Sequence, residues 1–307
     1  MLSEADQARI AGRFGVYDHE WRYIACHVGE PSLVDNLLIY DDGAVLSLCA
    51  FDLTDVAIPV SWERIRAALG TIWDGRFHRL VHVWGVFQPQ HCLELDGRLP
   101  LVDRGAVDAS YEGEYTINLE DLAFAEERGV RKTLRQIRNS GVDVGIAPSG
   151  PLSSAQLRLI EFWRAARELS PLSVSAGQAI ATFVHDRQSY TATASVDGDL
   201  LGFSVFTRPN EHTAVNLMSF AMRARGSRVD DALQWQSTLF TRDLGCKRFS
   251  LGYAGDEGLS SFKRKWGARP TGPAYRAALY AVDEVWGEAA RNYAFAWNSR
   301  LHRQSKP

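Results

Sequence analysis

The residues best suited to chemistry lie between 249 and 268, FSLGYAGDEGLSSFKRKWGA, where an apolar strand pattern meets a glycine-bearing loop and a short helix carrying Phe262, Lys263, Arg264 and Lys265. A strand end followed by a loop and a helix start offers backbone N–H groups without intrahelical partners, and α/β proteins bind anionic or carbonyl-bearing ligands at such places. A cation beside that junction suits acyl transfer, because a fixed donor aimed at a developing oxyanion stabilises the transition state by about 3–4 kcal/mol. Lys263 is the candidate donor. Asp230, Asp256 and Glu257 lie close enough in sequence to take a proton from an attacking amine, a role that competes with simple helix capping. No Ser/His/Asp set marks a nucleophile elbow, so a covalent acyl-enzyme is not suggested.

The elements that must position these residues form a compact pattern. TATASV and LLGFSVFTR flank a turn at Asp197-Gly198-Asp199, and AVNLMSFAMR follows as a third strand. Residues 229–243 read as a helix that stops before Gly245, a natural residue for a helix end. Strand 248–253, a strand at 274–280 and a helix at 281–299 complete the order β-β-β-α-β-α-β. Upstream, LLIY and AVLSLCAF face each other across Asp41-Asp42-Gly43, Ser61 caps a helix over 62–73, and LVHVWGV at 80–86 returns as a strand. In 120–140, Val130, Leu134 and Ile137 form one helical stripe, while Arg128, Arg131, Arg135 and Arg138 share another face suited to phosphate contact. Strand 142–146 leads to Pro148-Ser149-Gly150-Pro151, the expected elbow between an N-terminal domain, 1–147, and a C-terminal one, 148–307. Ser153 or Ser154 caps an amphipathic helix at 155–168 that follows it.

Composition narrows the functions available. With 46% hydrophobic residues in 307, the chain can bury two ordinary cores, and no window supplies the ~18 apolar residues of a membrane span. The N-terminus lacks a signal-peptide pattern, so a soluble cytoplasmic protein is expected. Cys26, Cys49, Cys92 and Cys246 are too scattered for a disulfide framework or zinc ribbon. His78, His82 and His91 fall in strand and loop contexts without a closed ligand set, and core or surface histidines are the expectation. From residue 200 onward there are 16 basic and 9 acidic residues, against 18 and 28 before it, which gives net charges of +7 and −10. A basic second half suits a polyanion such as RNA or coenzyme A.

Residues 190–280 resemble the C-terminal half of the tandem-GNAT aminoacyl-tRNA transferases, namely the FemX/FemAB peptidoglycan ligases and the soluble domain of lysyl-phosphatidylglycerol synthases. GDLLGFSVF with VNLMSFAMRARGSRVDDAL resembles the synthase pattern of a DLMR strand, a glycine and a helix opening on aspartate. FSLGYA resembles its next strand, and LSSFKRKWGARPTGPAYRAAL resembles the Phe-Lys helix and aromatic strand of both groups. Asn216 and Ser219 stand where the synthase pattern has aspartate and arginine, which points away from a lipid head group as acceptor.

The resemblance implies an α+β fold of two tandem GNAT-like domains, the first by analogy alone. It implies transfer of an aminoacyl group from aminoacyl-tRNA to an amine of a small molecule or peptide, either a peptidoglycan precursor or an intermediate of natural-product (antibiotic) biosynthesis. The ester is already activated, so no metal or redox cofactor is needed. Lys263 is then expected at the tRNA terminus and ester carbonyl, with Phe262 packing the helix or stacking on the terminal adenosine. Lys265, Arg269, Arg131, Arg135 and Arg138 are expected to meet phosphates, with Arg223, Gly226 and Arg228 as the neighbouring phosphate loop. Arg223 and Gly226 fall where a GNAT domain holds a pyrophosphate, and Arg228 takes the last small position of that acetyl-CoA pattern, where a long side chain crowds the ligand. Asn216, Tyr253, Glu257 and Tyr275 are the expected substrate-binding residues. Two other readings keep the fold: an acyl-CoA-dependent N-acyltransferase, and a non-catalytic RNA-binding protein.

Overall fold

The structure is a computed structural model, and it describes residues 2–6, 29–50, 59–78, 80–85, 87, 92–94, 100–102, 114–167, 189–222, 228–254, 257–270 and 275–281. The chain divides into two units. The first comprises Met1–Arg13, Ile24–Gly113 and Gly272–Pro307, and the second Phe14–Tyr23 and Glu114–Thr271. The elbow expected at 147/148 therefore falls inside the second unit, between β8 (Asp143–Pro148) and the helix that follows it.

The first unit is built on a seven-stranded sheet. β1 (Glu30–Val34), β2 (Leu37–Asp41) and β3 (Val45–Ala50) form an antiparallel meander, and Gly43, at φ +89, makes the turn read from Asp41-Asp42-Gly43. Helix α1 (Trp62–Gly70) begins on Ser61, whose Oγ accepts the Arg64 N–H at 3.3 Å, and buries Ile65, Ala68 and Leu69 against β3. It carries the chain to β4 (Leu80–Gly85), which runs parallel to β3. β5 (Cys92–Glu94), β6 (Pro100–Val102) and β14 (Tyr275–Ala281) complete the order β1-β2-β3-β4-β14-β6-β5. The strand expected at 274–280 thus exists but belongs to the first unit's sheet, paired along β4 from Tyr275↔Gly85 to Tyr280↔Leu80. The helix expected at 281–299 lies outside the described residues beyond Ala281.

The second unit's sheet runs β13-β7-β12-β11-β10-β9-β8. β9 (Ser189–Val196) and β10 (Asp199–Asn210) form the hairpin read from the sequence, with Asp197 and Gly198 both at positive φ. β11 (Thr213–Ala221) adds antiparallel to β10. β7 (Glu114–Asn118), contributed from upstream, pairs antiparallel with both β12 (Arg248–Tyr253) and β13 (Arg269–Pro270).

Among the described residues four α-helices serve this sheet. α2 (Arg128–Asn139) buries Val130 with Leu134 and Ile137 half-buried beside it, and α4 (Val229–Asp243) buries Val229 and Leu233 in the same core. α3 (Ser154–Ala165) opens with a capping box between Ser153 and Gln156 and sets Trp163 edge-on to Phe220. α5 (Glu257–Lys265) is ended by Gly267 at φ +77, with the Ala268 N–H reaching back to the Lys263 carbonyl at 3.1 Å. Only glycine fits there, because a Cβ at 267 would overlap the ring of Phe124.

Candidate active site

Each unit contains one β-α-β crossover with a parallel strand pair, and the two pairs differ. In the first unit β3 and β4 stay in register for six pairs, from Val45↔Leu80 to Ala50↔Gly85. Gly85, at φ +137, lets the backbones close completely, since a Cβ there would meet the Ala50 carbonyl oxygen at 2.5 Å. In the second unit β11 and β12 share only Thr213↔Arg248, Ala214↔Phe249 and Val215↔Ser250. Beyond that pair β11 keeps β10 as its partner and β12 keeps β7. The two strands leave a wedge between them at the C-terminal end of β12, where open α/β sheets take their ligands.

Lys263 stands at this end. Its Nζ donates to the carbonyls of Leu251 at 2.6 Å, Gly252 at 2.8 Å and Tyr253 at 2.5 Å, and lies 5.7 Å from the Tyr115 ring centroid. The side chain is 5% exposed. An ammonium is buried only at high cost unless its donors are used, and three carbonyls released from a parallel ladder need donors. The two requirements meet in one side chain, which holds the end of β12 in its bent path. Phe262 packs half-buried against the same core, and the Lys265 ammonium lies 5.4 Å from its ring centroid.

A second buried charge joins the start of α4 to the end of α5 and the second half of α2. Asp231, in the first turn of α4 and 6% exposed, accepts from the Lys265 ammonium, from the Trp266 indole N–H at 3.1 Å and from Arg228 at 3.4 Å. Arg228 also donates to Gln136 of α2 at 2.7 Å. Two expected phosphate ligands, Arg228 and Lys265, are therefore engaged with Asp231, and this cluster ties α2, α4 and α5 together. Replacing Asp231 by alanine leaves the fully buried Trp266 N–H without its acceptor and the Lys265 ammonium without its counter-ion. The expected cost is about 2–4 kcal/mol, read by urea unfolding; an unchanged midpoint would show that the cluster is not structural.

The other expected residues fall in three groups. Arg131, Arg135 and Arg138 are exposed on α2 together with Arg128 and Lys132, and none of the five has an acidic partner among the described residues. Arg269 is exposed on β13, opposite Thr116 of β7. Asn216 is the first β11 residue past the parallel ladder, and its side-chain oxygen accepts from Ser204 at 3.1 Å. Tyr253 closes β12 with its carbonyl on Lys263. Glu257 is exposed on the first turn of α5, accepting from Ser261 at 3.1 Å, an i, i+4 contact that supports the helix, and pairing with Arg264 at 3.5 Å. Asp230 is exposed at the start of α4. Tyr275 begins β14 in the first unit, and its side chain, like Arg223, Gly226 and Asp256, lies outside the described residues.

One acid at this site had no signal in its own stretch of sequence. Glu114, 3% exposed, accepts from the Ser250 hydroxyl, which in turn accepts the Gly252 N–H at 3.2 Å. His78, weighed above as a metal ligand, accepts the Asp74 N–H on Nδ1 at 2.8 Å, leaving Nε2 to donate to Asp41 at 3.1 Å. Among the described residues no group of three His, Cys, Asp or Glu is placed to hold a metal, and no helix is long and apolar enough to cross a membrane.

Two crossover units, one closed and one open at its parallel pair, define a protein of the tandem GNAT-like acyltransferase fold. No protein-family model matches the sequence, and no curated protein matches it. Solved structures do. The C-terminal domain of a protein assigned as a lysylphosphatidylglycerol synthetase from Agrobacterium fabrum superposes with a TM-score of 0.54 at 17% identity, covering 96% of this chain and 97% of that one. FemX superposes with a TM-score of 0.53 at 9% identity over 94% and 98% of the two chains. L-PGS from Bacillus licheniformis gives 0.50 at 12% identity over 88% and 86%. At these identities the likeness is one of fold.

Proposed function

We propose that the chain is an aminoacyl-tRNA-dependent aminoacyltransferase, joining the tRNA-borne amino acid through an amide bond to an amine of a small molecule or peptide. The observation that carries this reading is the distribution of charge around the open wedge. The first turn of α4, where an acyl-CoA enzyme of this fold cradles pyrophosphate, carries Asp230 and Asp231. Carboxylates at a helix start compete with a bound anion for the same N–H groups and positive potential. Five exposed cations with no acidic partner among the described residues lie instead on α2, whose Gln136 meets Arg228 at the start of α4. A donor whose phosphates track an exposed helix and whose acyl ester enters the wedge fits this distribution better than one with a compact diphosphate.

In this reading the ester carbonyl replaces one of the backbone carbonyls on Lys263, most simply that of Tyr253 at the free end of β12. One charge-assisted hydrogen bond is exchanged for another, and it strengthens as the carbonyl oxygen becomes an oxyanion. The neutral amine attacks, the bond to the ribose oxygen breaks, and that oxygen leaves as a hydroxyl. Phe262 supports α5 beneath the lysine, and Arg269 and the α2 arginines hold phosphates.

The test is label transfer from aminoacyl-tRNA to a panel of amines and short peptides. Transfer abolished by ribonuclease treatment of the donor is the expected result. Transfer indifferent to ribonuclease, or thermal protection by coenzyme A and not by tRNA, would overturn the reading in favour of another donor.

A further inference from the structure

We infer that Asn216 supplies a second hydrogen-bond donor to the acyl oxygen that Lys263 holds, a catalytic assignment that rests on the transferase reading above. β10 and β11 pair Phe206 with Asn216, so the two side chains stand on one face of the sheet. Phe206 and Tyr115 enter the same core, and the Lys263 ammonium lies over the Tyr115 ring. Asn216 and Lys263 therefore share that face. They also share a level of the wedge. The parallel ladder ends at Val215↔Ser250, and the next step in its register sets Asn216 against Leu251, whose carbonyl is one of the three on Lys263. Neighbouring strands stand about 4.8 Å apart before they part. One oxygen accepting two hydrogen bonds of about 2.9 Å fits between donors on the two sides of such a gap.

The amide of Asn216 is held in one orientation. Ser204, on β10 and 3% exposed, donates its hydroxyl to Asn216 Oδ1 at 3.1 Å. With Oδ1 turned towards β10, the planar amide carries Nδ2 on its other side, towards the edge of β11 that β12 leaves. Oδ1 has its partner, and Nδ2 has none among the described residues. The side chain is half-buried, so a ligand can reach it. A bulge sustains this arrangement: β11 carries Leu217 as an extra residue between the pairs Val205↔Met218 and Phe206↔Asn216. It places exposed Ser219, opposite Ser204, on the Asn216 face, where unbroken alternation would place Met218. A buried hydroxyl that fixes an amide, with the amide's own donors left in an open wedge, is the kind of preorganised dipole that stabilises a developing oxyanion.

The step balances without a co-reactant. The lone pair of a neutral amine forms the bond to the ester carbon, and the carbonyl π pair moves onto the oxygen, where Asn216 Nδ2 and the Lys263 ammonium donate to it. Collapse re-forms the carbonyl and breaks the bond to the ribose oxygen, which leaves with the proton lost by the amine. Asn216 gives up no proton.

The experiment measures single-turnover transfer from aminoacyl-tRNA to hydroxylamine and to glycinamide, per folded molecule by urea unfolding and after subtraction of the uncatalysed reaction. Asn216→Asp keeps an acceptor for Ser204 and replaces the donor with an oxygen, and Asn216→Ala removes the donor without adding charge. Both are expected to lower the maximal rate by about 10²- to 10³-fold while the half-saturating aminoacyl-tRNA concentration stays within a few-fold. Ser204→Ala, which frees the amide to turn, is expected to lose about 2- to 10-fold in the same rate. Transfer by Asn216→Ala within a few-fold of wild type overturns the inference, even where Asn216→Asp is slow, because charge repulsion then explains the loss. A raised half-saturating concentration at an unchanged maximal rate overturns it too, since the contact would then be made equally in the ground state. Wild type that transfers to neither amine overturns the transferase reading and this inference with it.

Discussion

Lys263→Met is expected to lower the unfolding free energy by about 3–5 kcal/mol and, per folded molecule, to lower aminoacyl transfer by about 10²- to 10³-fold. The stability term follows from three carbonyls, those of Leu251, Gly252 and Tyr253, losing their charged donor at a position only 5% exposed. Single hydrogen bonds to a charged group contribute about 1.5–3 kcal/mol, and three on one nitrogen are not additive. The catalytic term is that of one oxyanion donor. Urea unfolding reads the first effect, and initial rates corrected for the folded fraction read the second. A stable variant with normal transfer would refute both roles. Loss of stability with normal transfer by the folded fraction would leave Lys263 as a strut for β12 alone.

Reversing Arg131 and Arg135 together to glutamate is expected to weaken tRNA binding by more than tenfold at physiological salt and to leave stability within about 0.5 kcal/mol. Both side chains are exposed and without acidic partners among the described residues, so the fold loses little with them. If each meets one phosphate, the slope of log K against log salt becomes shallower by about 1.4–1.8. Filter binding of unfractionated tRNA across a salt series measures both quantities. An unchanged slope would remove α2 from the RNA-binding surface.

How much was legible in the chain depended on whether a signal was local. The Asp197-Gly198 hairpin, the Ser61 and Ser153 caps, the stripe of α2 and the Gly245 stop at the end of α4 are written in neighbouring residues, and each appears where its chemistry places it. Strand pairing is not written that way. AYRAALY reads as a strand, yet nothing in those residues says that β4 rather than β12 is its partner. β7 is only five residues, and its EYTIN pattern offers Glu114 as an ordinary polar position until β12 is seen beside it. The run Lys263-Arg264-Lys265 offers Lys263 as a donor and Lys265 as a phosphate ligand, and the structure divides it. Lys263 falls on the inward stripe with Ser260 and Trp266 at a spacing of three, and Lys265 turns to Asp231. That stripe was the available sign that the three cations are not equivalent.

The complete ladder between β3 and β4 has a consequence in time as well as in space. Six consecutive pairs in a buried parallel ribbon leave no amide that opens without much of the first unit opening too, so the backbone of Leu46–Cys49 should exchange its hydrogens on the slowest timescale of that unit. Along β11 the amides facing the wedge past Val215 have no strand among the described residues opposite them, and they should exchange by small local excursions. The same crossover thus serves once as a rigid frame and once as a soft seam, and deuterium uptake would distinguish the two in a single experiment without any ligand.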